Sequence, residues 1–170
     1  MVSKRLESLK SKNDAAWAEL TGQLQDMEPH LERSDAPGQW TTRQVLCHLL
    51  SAPGRSVEAA LQSFAEEELP LIDIQPGQAV VTDDRRRMTL RQLIDALDAQ
   101  RRSVFAYLAR LPEDDLERRK ARIPLFKQFM GTDEIALGPY VGAMFDFHWR
   151  DHAGQLAKIR KAAGLPGVNE

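Results

Sequence analysis

Two histidines near the C-terminus have the spacing of a metal-binding pair. His148 and His152 are four residues apart, and residues at that spacing lie about 40° apart around a helix axis, on one face. Both imidazoles can therefore reach one metal ion. Apolar residues recur at helical spacing on the same face, which predicts that the pair points inward: Val141, Met144, Phe145, Leu156 and Ile159. An unpaired polar group buried there costs about 1–3 kcal/mol, so the nitrogens need partners, and a metal ion would be one.

A third histidine follows a helix start signal. The segment from Trp40 begins with an aromatic residue and has a hydroxyl N-cap at Thr41 or Thr42. His48 comes early in this second helix, on or at the edge of its apolar side, and is the candidate third ligand. Cys47 points about 100° away from His48, so we interpret it as a packed core thiol that does not share the ion.

Other residues near the predicted site have less specific interpretations. His30 is expected to cap the end of the first helix at the surface. Asp146 and Asp151 point away from the histidine face, as outward-facing residues or hydrogen-bond partners of the ligands. Gln100 and Arg101 interrupt an apolar stripe; Arg101 either lines a cavity, where it could bind an anionic cofactor or substrate, or extends its charge to water.

Four amphipathic helices are expected to position these side chains. The first has one apolar stripe up to Leu31, ended or kinked at Pro29, and the second is interrupted at Pro53-Gly54. Residues 66–88 have no helical period and form a long connection between helices two and three. Residues 112–138 are irregular and cover one end. The pattern predicts a single all-α domain over residues 1–170, a four-helix bundle with one long crossover, with helices over residues 5–31, 41–64, 89–111 and 139–159 or beyond.

Composition restricts the setting of the protein. The chain has 170 residues, a net charge of −2 and one cysteine, which predicts a cytoplasmic protein that binds neither nucleic acid nor membrane. The first residues lack the apolar run of a signal peptide. Trp17, Phe64 and the apolar segment 123–130 exceed the needs of one core, so we expect a homodimer.

Two motifs resemble the DinB-like (YfiT-like) superfamily of four-helix-bundle proteins. One is the Trp-Thr-led second helix that carries His48, and the other is the His-x3-His-x2-Gln pattern of His148, His152 and Gln155. The resemblance implies that the three histidines bind a divalent ion, usually nickel or zinc, at one end of the bundle, with Gln155 in a structural role. It also implies that relatives include dimers, and transferases or isomerases that use low-molecular-weight thiols. The aromatic residues around His148 and the Pro53-Gly54 break depart from the pattern and bear on which small-molecule substrate the pocket accepts.

Three imidazoles leave one open position on a tetrahedral ion, as in catalytic rather than structural zinc sites. The open position can take a water or a thiol, and both lose a proton there more easily. We expect a low-molecular-weight-thiol-dependent S-transferase, because no residue is an obvious general base. The crossover, residues 66–88, would then be the lid of the pocket. The alternatives are a metal-dependent hydrolase, and a non-catalytic metal- or ligand-binding protein with a stress or interaction role.

Overall fold

The fold is an all-α four-helix bundle, as the sequence predicts. The computed structural model describes residues 4–168; residues 1–3 and 169–170, which the single-domain prediction also covers, lie outside this range. The first bundle helix is α1, the second is divided into α2 and α3, the third is α5, and the fourth is a continuous element made of α8, a π turn and α9. Their bounds are α1 Lys4–Gly22, α2 Thr42–Leu49, α3 Val57–Ser63, α5 Leu90–Leu108, α8 Leu137–Gly142, the π turn Ala143–Phe147 and α9 His148–Ala162.

Two of the helices begin with a capping box. The Thr41 hydroxyl accepts from the Gln44 backbone N–H while the Gln44 side chain accepts from the Thr41 N–H. Thr89 and Gln92 form the same pair at the start of α5. Each box satisfies two backbone donors that a helix start leaves without partners. The N-cap of α2 is therefore Thr41, and the structure decides between the two threonines that the sequence offered.

The first helix is shorter than predicted. It ends at Gly22 rather than near Pro29, and the chain continues through turns, a left-handed Asp26 (φ 60°) and a 3₁₀ turn at Glu28–His30. Leu24 and Met27 are nonetheless buried. Their helix-like spacing extends the apolar pattern beyond the helix because turns also carry side chains to the core at intervals of three or four residues.

The irregular regions contain secondary structure that the sequence pattern does not predict. A short helix α4, Asp83–Arg87, begins at the N-cap Thr82 inside the crossover. Residues 112–138 contain two short helices and an antiparallel pair of strands: α6 Asp115–Arg118, β1 Lys120–Arg122, α7 Lys127–Met130 and β2 Glu134–Ala136. The crossover adds bridges from Ala65 to Lys120 and from Leu71 to Arg122. Strands of three residues have too few alternating positions to be recognised in a sequence.

Most of the apolar residues that suggested a dimer belong to this chain's own core. Phe64 is 2% exposed and packs against Tyr140, and Trp17 packs against Trp149. Of the segment 123–130, Phe129 and Met130 are exposed, whereas Ile123 and Phe126 are buried. The homodimer stays a prediction. Over the described range, no helix is long and apolar enough to cross a membrane.

Candidate metal centre

The three predicted ligands lie together. His48 Nε2 and His152 Nε2 are each 3.0 Å from His148 Nε2. One ligand atom from each residue lies within 4.8 Å of the others, and within residues 4–168 this is a group of suitable donors for one metal ion. Two imidazoles bound to one tetrahedral ion at 2.0–2.1 Å have nitrogens roughly 3.4 Å apart, so the spacing fits a shared ion after small side-chain adjustments.

The other ring nitrogen of each histidine has a protein oxygen as its partner. His48 Nδ1 lies 2.6 Å from the backbone oxygen of Gln78, and His152 Nδ1 lies 2.9 Å from Oε1 of Gln155. His148 makes a hydrogen bond to the Met144 backbone carbonyl, which leaves its Nε2 for the cluster. Since carbonyl oxygens only accept, the proton of each neutral ring is on Nδ1.

This arrangement of protons leaves three nitrogen lone pairs directed at one another. Without a cation between them, acceptor atoms 3.0 Å apart repel. With a divalent ion, each would be a neutral Nε2 ligand whose opposite nitrogen is fixed by a hydrogen bond, the arrangement usual for metal-binding histidines. The residues present therefore fit a divalent metal ion.

Burial disfavours the protonated form of two of the three histidines, His148 and His152. Desolvation, followed by the proximity of His152 and His48, lowers the pKa of His148 from 6.5 to about 3. Burial also lowers the pKa of His152, which is 8% exposed. Metal ligands must be deprotonated, so these lowered pKa values reduce competition between protons and a metal ion.

The fourth bundle helix positions His148 through a π turn. In an α-helix the His148 backbone N–H would bond the Met144 carbonyl, four residues earlier. Here it bonds the Ala143 carbonyl instead, and the Met144 carbonyl accepts from the His148 ring. Such π turns are rare and occur often at functional sites.

The crossover supplies the partner of His48. Arg85 of the crossover donates to the backbone oxygens of Val80, at 3.0 Å, and Cys47, at 3.4 Å. It also donates to the backbone oxygen of Ser51. Arg43 in turn donates to the Arg85 carbonyl at 2.8 Å. These bonds hold the segment around Gln78 against the end of α2, which carries His48.

Trp40 covers one side of the cluster. Its ring is stacked on His152, with centroids 6.1 Å apart and 11° between the planes, and lies 4.7 Å from His48. The aromatic residue that introduces the second helix therefore also restricts the orientation of two ligands.

The structure places the other candidates outside this cluster. Arg101 lies between α1 and α5, 2.7 Å from both Asp98 and Asp14 and 5.0 Å above the Trp17 ring, and these contacts do not include the histidines. Its binding of an anionic cofactor stays a prediction. Cys47 is buried, which raises its thiol pKa, and His30 lies in the 3₁₀ turn.

Asp146 and Asp151 are also separate from the ligand set. Asp146 pairs with Arg150 at 2.7 Å, and Asp151 is exposed. The roles of Gln78, Arg85 and the π turn could not be predicted from the sequence. A backbone carbonyl has no sequence signal, and Arg85 belongs to a charged run, residues 83–87, of the kind typical of a solvated loop.

The fold and the site together define a four-helix-bundle protein with a three-histidine candidate metal centre. A model of the DinB superfamily matches residues 3–156, and the chain belongs to that superfamily. Among solved structures, it is similar to YfiT from Bacillus subtilis, described as a probable metal-dependent hydrolase with an unusual four-helix bundle topology. The TM-score is 0.67 at 18% identity, covering 98% of this chain and 92% of that chain, which shows a common fold. No curated protein matches the chain.

Proposed function

We propose that this protein is a divalent-metal-dependent enzyme whose ion is held by Nε2 of His48, His148 and His152. The observation that carries the proposal is that the three Nε2 atoms converge while the opposite nitrogens bond protein oxygens. A nickel or zinc ion held by these residues would act as a Lewis acid and would lower the pKa of a thiol or a water bound to it.

The favoured reaction is S-transfer from a low-molecular-weight thiol. The sulfur forms a bond to an electrophilic carbon of a small-molecule substrate, the leaving group departs with its electron pair, and the thiol proton passes to solvent. The candidate ligand group contains histidines and no carboxylate within the described residues, and Asp146 is ion-paired with Arg150. A thiol is the stronger acid of the two nucleophiles and therefore depends less on a general base than water does, which favours the thiol.

Hydrolysis is the second candidate, and the structural match favours it. YfiT, which shares the fold, is described as a probable metal-dependent hydrolase. Hydrolysis would use the same three ligands and a water in place of the thiol. A role in metal or ligand binding without catalysis requires only the histidine cluster.

Elemental analysis tests the metal site. We expect roughly one divalent ion per chain after metal loading and desalting. His48→Ala and His148→Ala should lose the ion to a chelator that leaves it on the unmodified protein. His30→Ala is the matched control, since His30 lies in a 3₁₀ turn and outside the cluster. Equal metal retention in all of these proteins would contradict the assignment.

A substrate panel tests the reaction. The metal-loaded protein is incubated with glutathione, bacillithiol or mycothiol and a generic electrophile, beside a panel of esters and amides without thiol. Thiol conjugation that disappears in His152→Ala supports S-transfer. Metal-dependent ester or amide cleavage without thiol supports the hydrolase instead. A metal-loaded protein that is inactive in both panels supports the non-catalytic role.

A further inference from the structure

The π turn before His148 depends on contacts from another helix. A π turn contains one more residue than the corresponding α-helical segment. The extra residue changes the direction of the side chains that follow it by about 100° around the helix axis. The five residues Ala143–Phe147 therefore decide which way His148 points relative to His48. π turns are intrinsically rare, so an external contact that stabilises this one would also determine the geometry of the site.

Asn13 of α1 makes such a contact. Its side-chain Nδ2 donates to the Phe145 carbonyl at 2.6 Å, across 132 residues of sequence. Asn13 is 1% exposed, in the interior of a helix, where asparagine has low intrinsic propensity. Burial of an amide costs free energy unless its hydrogen bonds are made. Local helix formation does not explain an asparagine at this position, whereas its bond to the π turn does.

The neighbours of Asn13 fix the orientation of its amide. Arg101 can only donate, and its Nη1 lies 3.4 Å from Asn13 Oδ1; the Phe145 carbonyl can only accept, so Nδ2 faces it. Arg101 is held in turn by Asp14 and Asp98. The amide thus has its oxygen toward the guanidinium and its nitrogen toward the π turn.

Aromatic packing strengthens the same contact between helices. Trp149 follows His148 directly, and its ring lies 5.7 Å from Trp17 of α1 and 5.9 Å from Phe145. The guanidinium of Arg101 lies over the Trp17 ring, 5.0 Å from its centroid. Phe145, before His148, and Trp149, after it, therefore both contact the part of α1 that carries Asn13 and Trp17.

We propose that Asn13 is a positioning residue for the metal centre: by holding the Phe145 carbonyl it stabilises the π turn and directs His148 Nε2 at His48 and His152. The proposal rests on the proposed metal site. It also assigns Arg101 a positioning role: Arg101 acts through its contact with the oxygen of Asn13 and does not itself contact the three histidines.

Two substitutions separate positioning from ordinary stability. Asn13→Asp keeps the volume and an oxygen for Arg101 but places a second acceptor against the Phe145 carbonyl. Asn13→Leu removes both bonds. The control is Arg160→Met: Arg160 is buried and bonds backbone oxygens of Pro166, Gln23 and Gln25, about 18 Å along the same helix from His148. Its loss destabilises the contact between α9 and the turns that follow α1, away from the site.

Cobalt binding is the first readout. We expect both Asn13 variants to raise the Co²⁺ dissociation constant by about tenfold or more, as loss of partners that orient metal ligands does, and to change the visible spectrum of the bound ion. Arg160→Met should leave both unchanged. If the Asn13 variants lose stability like Arg160→Met but bind Co²⁺ with unchanged affinity and spectrum, Asn13 is only structural and the proposal is wrong.

The second readout needs no metal. Long-range ¹H–¹⁵N NMR of the metal-free protein reports which ring nitrogen of His148 carries the proton. We expect the Nδ1–H form in the unmodified protein and in Arg160→Met, and a mixture in Asn13→Asp. An unmodified protein that binds no Co²⁺ contradicts the proposed function, while the tautomer comparison still decides the positioning role.

A third variant decides the outcome if Asn13 variants fail to fold. Arg101→Met keeps Asn13 and removes the guanidinium that orients its oxygen. We expect a smaller change in the same direction, a few-fold rise in the Co²⁺ dissociation constant. An unchanged constant together with an unchanged His148 tautomer would overturn the proposal.

Discussion

The two sides of the histidine cluster are held by different kinds of structure. His148 and His152 find their Nδ1 partners within four residues on their own helix, at Met144 and Gln155. The partner of His48 is the carbonyl of Gln78, 30 residues away in the crossover. The first arrangement lies within one continuous helical element, while the second needs the crossover to be in place. Segments with exposed backbone and few buried contacts open at lower free energy than packed helices, so the His48 side should loosen first.

The largest expected effect is the loss of metal affinity when His148, the histidine next to both others, is removed. His148 Nε2 is 3.0 Å from both other Nε2 atoms, so His148→Ala leaves two ligands on different elements. We expect it to weaken Zn²⁺ binding by more than about hundredfold, beyond the effect of losing an orienting partner. His48→Ala leaves the helical pair and should retain weaker, measurable binding. Competition titration with a chromophoric chelator measures both constants, and equal losses would contradict the comparison.

The partner of His152 should give the next largest effect. Gln155→Leu removes the oxygen 2.9 Å from His152 Nδ1, so the ring is free to rotate or to change tautomer. We expect Zn²⁺ affinity to fall by about tenfold or more. Gln62→Leu is the control, because Gln62 is exposed and bonds Glu58 away from the cluster. The same chelator competition measures the difference, and a normal affinity for Gln155→Leu would mean that Trp40 stacking alone orients the ring.

Loosening the crossover tests whether His48 is held less firmly than His148 and His152. Arg85→Met removes the bonds to the backbone at Val80 and Ser51, so the segment that presents the Gln78 carbonyl is less restrained. We expect a fall of a few-fold to about tenfold in Zn²⁺ affinity, and faster amide hydrogen exchange over residues 78–82. The control is Arg87→Met, since Arg87 is exposed and pairs with Asp84. Bound Zn²⁺ should slow exchange in this segment of the unmodified protein more than in α9; the reverse order would contradict the idea that His48 is the looser side.

The smallest expected effect is the pH dependence of the metal-free protein. Burial lowers the pKa of His148 from 6.5 to about 3, so between these pH values the unfolded chain binds more protons than the folded chain. Stability from this group is fully present above about pH 6.5 and is lost as the pH falls toward 3. The urea midpoint of the EDTA-treated protein should fall between pH 7 and pH 5, and His148→Gln should show a shallower fall. Parallel curves would mean that His148 takes up a proton in the folded protein as readily as in the unfolded chain, which would contradict the lowered pKa.

The sequence predicts those features that depend on residues close together in the chain. The hydroxyl N-cap of the second helix, at Thr41 or Thr42, and the third helix follow from local patterns, because helix contacts join residues three and four apart. The same holds for His148, His152 and Gln155, whose relative directions are set by one helix. His48 was identified as the candidate third ligand by its position in the second helix, and the DinB-like resemblance implies the same set of three.

Tertiary structure decides what depends on distant residues. The end of α1 at Gly22, the pairing of β1 with β2 and the bond from Gln78 to His48 have no local pattern to reveal them. The π turn is the clearest case: a regular helix fits the sequence from Leu137 to Ala162 equally well. Its register depends on a bond between Phe145 and Asn13, residues that meet only when the first and fourth helices pack together.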